Sequence, residues 1–243
     1  MYITAFIPAR GGSVSMPDKN LAEINAMPLT CWAMNSACRN QLISKIVVSS
    51  DSEEILSLAE NWKALSSDKR IVVSKRPKEL SDGITYNIAE IATKELDRLD
   101  IDTFDKGAVL LLQPTSPFVK QSQIDKAIYS FSNPKIRSTQ TITPVLHNDH
   151  WINQRRWVNI NGVDKYCLFT FWEDRLKGWN KQKKPPAYKF GNLVITRRGD
   201  LRNKTFFAYP SAGILIDRWS SLDIDTEDDV TLGRMYHKEG LVA

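Results

Sequence analysis

The sequence predicts an α/β protein: a mostly parallel sheet with helices on both faces, plus one irregular excursion. Three observations predict it. Short apolar or β-branched runs alternate with stretches of helical period through residues 1–145. Such βαβα alternation implies parallel strands joined by crossover helices. The run Ala108-Val109-Leu110-Leu111-Leu112 is apolar throughout, as expected for a strand covered on both faces. Between residues 147 and 186 the alternation stops, and Trp151, Trp157, Trp172 and Trp179 gather there, four of the seven tryptophans.

The elements follow in order. Residues 2–7 are the first apolar run and lead straight into Arg10-Gly11-Gly12. Residues 29–41 read as a helix, and residues 42–49 carry the β-branched run of the next strand. Residues 52–63 read as a helix with Ser50 or Asp51 as its N-cap. Residues 71–74 form a strand. Residues 84–99 place Ile84, Ile88, Ile91, Ala92, Leu96 and Leu99 at helical spacing. Residues 108–112 form a strand between Gly107 and Pro114, residues 122–131 a helix, and residues 138–145 a strand. In the excursion, Asn161-Gly162 between apolar runs predicts a hairpin turn, and residues 183–186 stop any regular element. Thr226, followed by Glu227, Asp228 and Asp229, predicts a capped helix start.

Composition narrows the class. The 243 residues suit one α/β domain carrying an insertion at 147–186, with hydrophobic content of 42% and charged content of 25%. The net charge of +5 comes from 33 basic and 28 acidic residues. They are interspersed, so the surplus fits an anionic small-molecule site better than nucleic acid. Cys31 and Cys38 lie seven apart on one helix face and read as small core residues, and Cys167 is isolated, so no disulfide framework exists. Neither a signal peptide nor a membrane span is visible, which points to a reducing cytoplasm. His147 and His150 form an HxxH without a helical context or nearby cysteine, and read as loop residues rather than metal ligands.

Two segments carry chemistry. A strand emptying into a Gly-Gly loop bracketed by Arg10 and Lys19, with Pro17 inside it, is a phosphate-binding design: backbone N–H groups and cations converge on an anion. The loop lacks both GxxxxGK[ST] and GxGxxG, so neither the P-loop nor the dinucleotide fingerprint applies. Asp223 and Asp225, at i and i+2 in an extended segment, project to one side. Paired hard oxygens suit Mg²⁺ shared with substrate phosphates. In parallel α/β sheets ligands sit at the carboxyl ends of the strands, where Arg10, Asp51 and Gln113 all fall.

The segment IPARGGSVSMPDKN at residues 7–20 resembles the opening signature of the acylneuraminate cytidylyltransferases. VVSSD at 47–51, KRPKELSD at 75–82, LLQPTSP at 111–117 and LDIDTEDD at 222–229 fit the same family in order. The resemblance implies a Rossmann-like nucleotidyltransferase sheet and transfer of CMP from CTP to a sugar acid, with Mg²⁺ on Asp223 and Asp225. It implies that Ala9, Arg10, Gly11, Gly12, Ser13, Lys19 and Asn20 cradle the triphosphate and that Arg76 meets the cytidine end. It assigns Gln113, Thr115, Ser116, Lys181 and Lys189 to the sugar acid, and Arg10, Lys19, Asp223 and Asp225 to catalysis. It also implies a homodimer formed through the excursion.

Departures from the pattern keep alternatives open. Val14-Ser15 stand where the family commonly has Lys-Gly, and Phe118-Val119-Lys120 where it has Leu-Arg. In PPAYKFGNLVI at 185–195, Lys189 stands for an arginine, Gly191-Asn192 invert the usual pair, and Ile195 replaces a tyrosine. Lysine cannot hold a carboxylate bidentately. The sugar is therefore open among N-acetylneuraminate, legionaminate, pseudaminate and related nonulosonates. Another nucleotidyltransferase on the same fold, such as a CMP-octulosonate synthetase or one using a different base, and a non-catalytic nucleotide-binding protein are the competing readings.

Overall fold

The computed structural model describes residues 1–12, 16–102, 106–160 and 163–242. It divides into two compact units, Met1–Ile142 with Phe190–Ala243, and Thr143–Lys189. The elements are β1 (Ile3–Pro8), β2 (Glu23–Ile24), β3 (Met27–Pro28), α1 (Leu29–Cys38), β4 (Lys45–Ser50), α2 (Glu53–Ser66), β5 (Ile71–Lys75), α3 (Ile88–Arg98), β6 (Ala108–Leu112), α4 (Gln121–Phe131), β7 (Ser138–Pro144), β8 (Arg155–Ile160), β9 (Val163–Phe169), α5 (Trp172–Lys177), β10 (Tyr188–Arg197), β11 (Ser211–Leu215) and α6 (Glu227–Lys238).

The main sheet has the order β11-β7-β10-β6-β1-β4-β5. Four adjacent strands, β6-β1-β4-β5, are parallel, with Phe6 opposite Leu111 on one side and Val47 on the other. β10 joins β6 antiparallel, and β11 pairs with β7 in parallel. Alternate residues of β1 divide the core into two layers. Ile3, Ala5 and Ile7 pack with Met34 and Ala37 of α1 and Ile124 and Ala127 of α4. Phe6 faces the opposite way, toward Ala89, Ala92 and Leu96 of α3. The mostly parallel sheet with helices on both faces is thus the architecture observed. A third cluster, with Ile24, Trp32, Phe118, Ile224 and Val230, joins α1 to the start of α6. Cys31 and Cys38 lie in α1 as free thiols, and burial pushes both up to about 11.

Two predicted boundaries are corrected. α3 begins at Ile88, not Ile84, which is 91% exposed. The Asp82 carboxylate accepts N–H bonds from Ile84 (2.9 Å) and Thr85 (3.0 Å), so this stretch is a turn around Gly83 at φ +73°. The helix starts instead at a capping box in which Asn87 accepts from Glu90 N and Glu90 accepts from Asn87 N. The N-cap of α2 is Ser52, not Ser50 or Asp51. Ser50 Oγ accepts from Ser52 N at 3.1 Å, and Asp51 is engaged elsewhere. Thr226 caps α6 as expected, with a reciprocal box to Asp229.

The second unit holds the antiparallel pair β8-β9 and the short α5. The predicted turn residues Asn161 and Gly162 lie outside the described residues. Trp151 packs edge-on to Phe171 at 5.2 Å, and Arg155 and Arg175 cover the Phe169 ring. Trp172 and Trp179 stay more than half exposed. His150 is consumed structurally: one ring nitrogen meets Pro185 O at 3.0 Å and the other accepts from Ile152 N.

Candidate active site

The end of β4 organises the site. Ser49 O accepts Ala9 N at 2.9 Å, so the strand end fixes where the loop after β1 begins. Asp51 Oδ1 accepts Gly11 N at 2.9 Å, which holds the next residues of that loop. Ser50 O accepts Arg76 N at 2.7 Å and brings in the loop after β5. Four consecutive residues, Ser49 to Ser52, therefore tie together the loop after β1, the loop after β5 and the start of α2. Backbone polar groups at the ends of buried strands need partners, and here those partners belong to the loops that carry the sequence motifs.

The Arg10–Asn20 loop is closed on itself. Asn20 is buried and donates from Nδ2 to Arg10 O at 2.8 Å, while Thr30 Oγ1 holds Asn20 O at 2.8 Å. Asn20 is thus a staple across the loop mouth. The two glycines differ. A Cβ on Gly11 would sit 2.9 Å from Ser52 Cβ, whereas a Cβ on Gly12 would meet nothing within 4 Å. Neither needs a positive φ. Gly11 answers a packing demand of the protein, and Gly12 borders open space. The expected phosphate-binding Ser13, with Val14 and Ser15, lies outside the described residues. Ala9 is wholly buried and its N–H is taken by Ser49 O, so it shapes the loop rather than exposing a contact to a ligand.

The last two motifs meet the first. Thr115 O accepts Ile224 N at 2.8 Å, joining the loop after β6 to the Asp223–Asp225 segment. Ile224 is buried in the third cluster, which turns its neighbours Asp223 and Asp225 away from the core. Lys19 Nζ then pairs with Asp225 Oδ1 at 2.8 Å, across 206 residues of sequence. The lysine is largely covered (13% exposed) and the aspartate open (65% exposed).

The carboxyls of this segment are not equivalent. Asp223 keeps an exposed edge, yet the surrounding chain removes enough water to push its pKa up. Repulsion from Asp225 adds to the rise, while a hydrogen bond with Thr115 and the charge of Lys19 oppose it. Asp229 goes the other way. Partial burial works against its charge, but hydrogen bonds from Thr226 Oγ1 and from the N–H groups of Asp225 and Thr226 outweigh it and lower its pKa. Among the described residues no cluster of three or more His, Cys, Asp or Glu side chains could hold a metal by itself.

These loops enclose a cavity of about 240 Å³ in the first unit, lined by Arg10, Lys19, Asn20, Arg76, Gln113 and Thr115. Arg10 lies across Gly83, where a Cβ would collide with its Nη1. Arg76 is only 4% exposed, and burial lowers its pKa, countered by Asp51 and Glu95. Six of the residues singled out from sequence therefore converge. Ser116 does not line this cavity: it is buried, its N–H closing a turn onto Gln113 O at 3.0 Å. Lys181 and Lys189 belong to the second unit. Lys181 lines a separate cavity of about 210 Å³ there, with His147, His150 and Lys184.

Sequence reasoning missed the roles of three residues. Asp51, expected at a strand's carboxyl end and as a cap of α2, instead holds Gly11 N. Ser49 lay inside a motif without a role of its own. Glu95 is fully buried and accepts hydrogen bonds from Ser49 Oγ (2.8 Å), Ser74 Oγ (2.7 Å) and Arg98 Nε (3.0 Å). Its signal was a carboxylate at helical spacing from Ile88, Ile91 and Ala92, on the face otherwise apolar.

Comparison with known proteins gives concordant results. A family model described as cytidylyltransferase matches residues 4–164. An N-acylneuraminate cytidylyltransferase of Escherichia coli O18:K1:H7 is 27% identical over 231 residues, covering 95% of this chain but 51% of the relative. A CMP-N,N'-diacetyllegionaminic acid synthase of Legionella pneumophila is 28% identical over 239 residues, covering 96% of this chain and 94% of the relative. The chain thus spans about half the length of the first and nearly all of the second. A CMP:2-keto-3-deoxy-manno-octonic acid synthetase solved with CTP shares the fold, with a TM-score of 0.68, 12% identity, and coverage of 99% of this chain and 100% of that one.

Proposed function

The chain belongs to the cytidylyltransferase family, and from that premise we propose that it activates a 2-keto-3-deoxy sugar acid, a sialic acid or related nonulosonate, with CTP. A sugar hydroxyl oxygen attacks the α-phosphorus. The bond from that phosphorus to the oxygen bridging it to the β-phosphorus breaks, pyrophosphate leaves, and the hydroxyl proton passes to solvent. The observation that carries this reading is the convergence of Arg10, Lys19, Asn20, Arg76 and Gln113 on one cavity at the carboxyl ends of the parallel strands. Relatives named for N-acylneuraminate and diacetyllegionaminate both align over nearly the whole chain, which supports the nonulosonate class without choosing a member.

Each group has work suited to its chemistry. Arg10 and Lys19 neutralise charge on the triphosphate, and the Ala9–Gly12 backbone runs beneath it, with Gly12 leaving room. Arg76 faces the base, and Gln113 and Thr115 face the sugar acid. Ser116, Lys181 and Lys189 are assigned to the sugar acid on the resemblance alone. The donor set fits Mg²⁺. Asp223 and Asp225 offer hard oxygens, Ile224 between them is buried, and the charged form of Asp223 lacks the water that would stabilise it. When bound, Mg²⁺ would supply charge neutralisation to the phosphates. Lys19 holds Asp225 in reach of the loop, so the cation-binding carboxylate and the phosphate-binding lysine are prepositioned together.

The exposed rings of Trp172 and Trp179 in the second unit support a homodimer. Among the described residues no helix is long and apolar enough to cross a membrane. We place the enzyme in the cytoplasm and assign it no nucleic-acid or membrane partner. The test is pyrophosphate release from CTP and Mg²⁺ with N-acetylneuraminate, legionaminate, pseudaminate and Kdo in turn. Release confined to CTP and one nonulosonate is expected. Release with Kdo alone, equal release from UTP, or silence across the panel would contradict the proposal.

A further inference from the structure

Arg76 is a charged side chain held almost out of water, and its partners decide which of its edges remains free. Its Nε donates to Ser49 Oγ at 3.0 Å and its Nη2 to Ser49 O at 2.7 Å. The Ser49 hydroxyl has one proton to give. Glu95 can only accept, and the Nε of Arg76 can only donate. The Ser49 proton therefore points at Glu95 Oε2, 2.8 Å away, and its lone pair at Arg76. Glu95 is itself fixed: its Oε2 also accepts from Ser74 Oγ and its Oε1 pairs with Arg98 Nε at 3.0 Å. Arg98 supplies the counter-charge from the exposed side, so Glu95 does not compete for Arg76 directly.

We propose that Ser49 and Glu95 are positioning residues for nucleotide selection: Ser49, its hydroxyl oriented by Glu95, holds the Nε–Nη2 edge of the Arg76 guanidinium and leaves Nη1 as a fixed donor toward the cavity. The inference rests on the reading of that cavity as the nucleotide site. A donor that cannot rotate favours a base presenting a carbonyl beside an unprotonated ring nitrogen, as cytosine does. It disfavours uracil, whose corresponding ring nitrogen carries a proton. A site whose polar groups are rigid rejects a mismatched partner more strongly than one that adapts, because the unpaired donor cannot find another acceptor. Ser49 has a second duty, since its carbonyl also accepts Ala9 N. One residue thereby sets the registers of the base end and the phosphate end together.

The test is equilibrium binding of CTP and of UTP to the whole chain, which needs no knowledge of the sugar acid. Four proteins are compared: wild type, Ser49→Ala, Glu95→Gln and Arg76→Lys. Ser49→Ala removes the Nε acceptor and keeps the backbone acceptor. Glu95→Gln keeps the volume and one acceptor oxygen but turns an amide toward either the serines or Arg98. Both are expected to lower the ratio of CTP to UTP affinity by about tenfold, the scale of one hydrogen bond to a charged group, with Arg76→Lys lowering it at least as much. Thermal melting is followed in parallel, because a merely structural role would lower the melting temperature and leave the CTP/UTP ratio alone. An unchanged ratio in Ser49→Ala and Glu95→Gln, with Arg76→Lys impaired, would overturn the positioning role. An unchanged ratio in Arg76→Lys would instead overturn the nucleotide reading of Arg76 on which it rests. Ser49→Ala keeps the proposal testable should Glu95→Gln fail to fold.

Discussion

The strand ends of β1, β4 and β6 and the excursion 143–189 treat polar and aromatic side chains in opposite ways. Around the strand ends, Asn20, Ser49, Arg76 from the loop after β5 and Glu95 from α3 are buried and hydrogen-bonded. In the excursion, Trp172, Leu176 and Trp179 are each more than half exposed, and Lys184 Nζ lies 3.4 Å from the His147 ring. There the pKa of His147 is lowered, first by loss of water and then by the charge of Lys184, Lys181 and Arg175. One region has satisfied its groups internally and is preorganised. The other leaves apolar side chains more than half exposed and gathers Lys181, Lys184 and Arg175 around one histidine. We propose that chemistry belongs to the first and association to the second.

The sharpest way to break that division is to remove charge from the first region. Asp225→Asn is expected to lower turnover by about 10²-fold or more, since it removes a carboxylate proposed to hold the Mg²⁺ that would neutralise charge on the phosphates. The Lys19–Asp225 pair is half exposed, and such pairs contribute only about 0–1 kcal/mol, so the melting temperature should barely move. Turnover within a few-fold of wild type would remove Asp225 from the site.

Gly11→Ala comes next. The new methyl would press on Ser52 Cβ, and overpacking of this kind costs about 1–3 kcal/mol. Weaker CTP binding with a modest loss of stability is expected, whereas Gly12→Ala should leave stability unchanged. Equal stability losses would mean that the two glycines are not divided between fold and ligand.

In the excursion, the double change Trp172→Ser and Trp179→Ser is expected to shift the mass in solution from dimer to monomer without lowering the melting temperature of the first unit. Sedimentation reads the first and calorimetry the second. An unchanged dimer would deny these rings the association role.

The smallest effect is in pH. Asp223 has its pKa raised in the fold, so in the window above the ordinary value of 3.8 the folded chain binds more protons than the unfolded one. Its ionised form costs stability at neutral pH, and that cost is relieved as pH falls through the raised pKa. Mg²⁺ competes with the same proton, so Mg²⁺-dependent CTP binding should weaken over that window. The Asp229 contribution has the opposite sign, because its lowered pKa keeps its stabilisation until pH falls below 3.8. Asp223→Asn should therefore remove the Mg²⁺ dependence without lowering stability at pH 7. A destabilised variant would contradict the sign.

The sheet was legible because its strands are buried on both faces, and such strands must be apolar without interruption, as 108–112 is. The Gly-Gly loop and the paired aspartates stand out as candidates because their residue types sit next to each other in sequence. The start of α3 was not, since Ile84 keeps the helical period and only the Asp82 side chain diverts its backbone. Ser49 and Asp51 were not, because their partners, Arg76 and Gly11, lie 27 and 40 residues away. Glu95 resembles any helical acid until Ser49, Ser74 and Arg98 are placed around it. Composition and period report burial and local geometry, while the roles of these residues arise from pairings made only when strand ends meet.

The most direct measurement is the crystal structure of the chain with CTP and Mg²⁺. The account predicts the triphosphate along Arg10, Gly12 and Lys19, the metal on Asp223 and Asp225, and the cytosine against the Nη1 edge of Arg76. A nucleotide seated elsewhere, such as the His147–Lys184 cavity, with the Arg10–Arg76 cavity empty would contradict it.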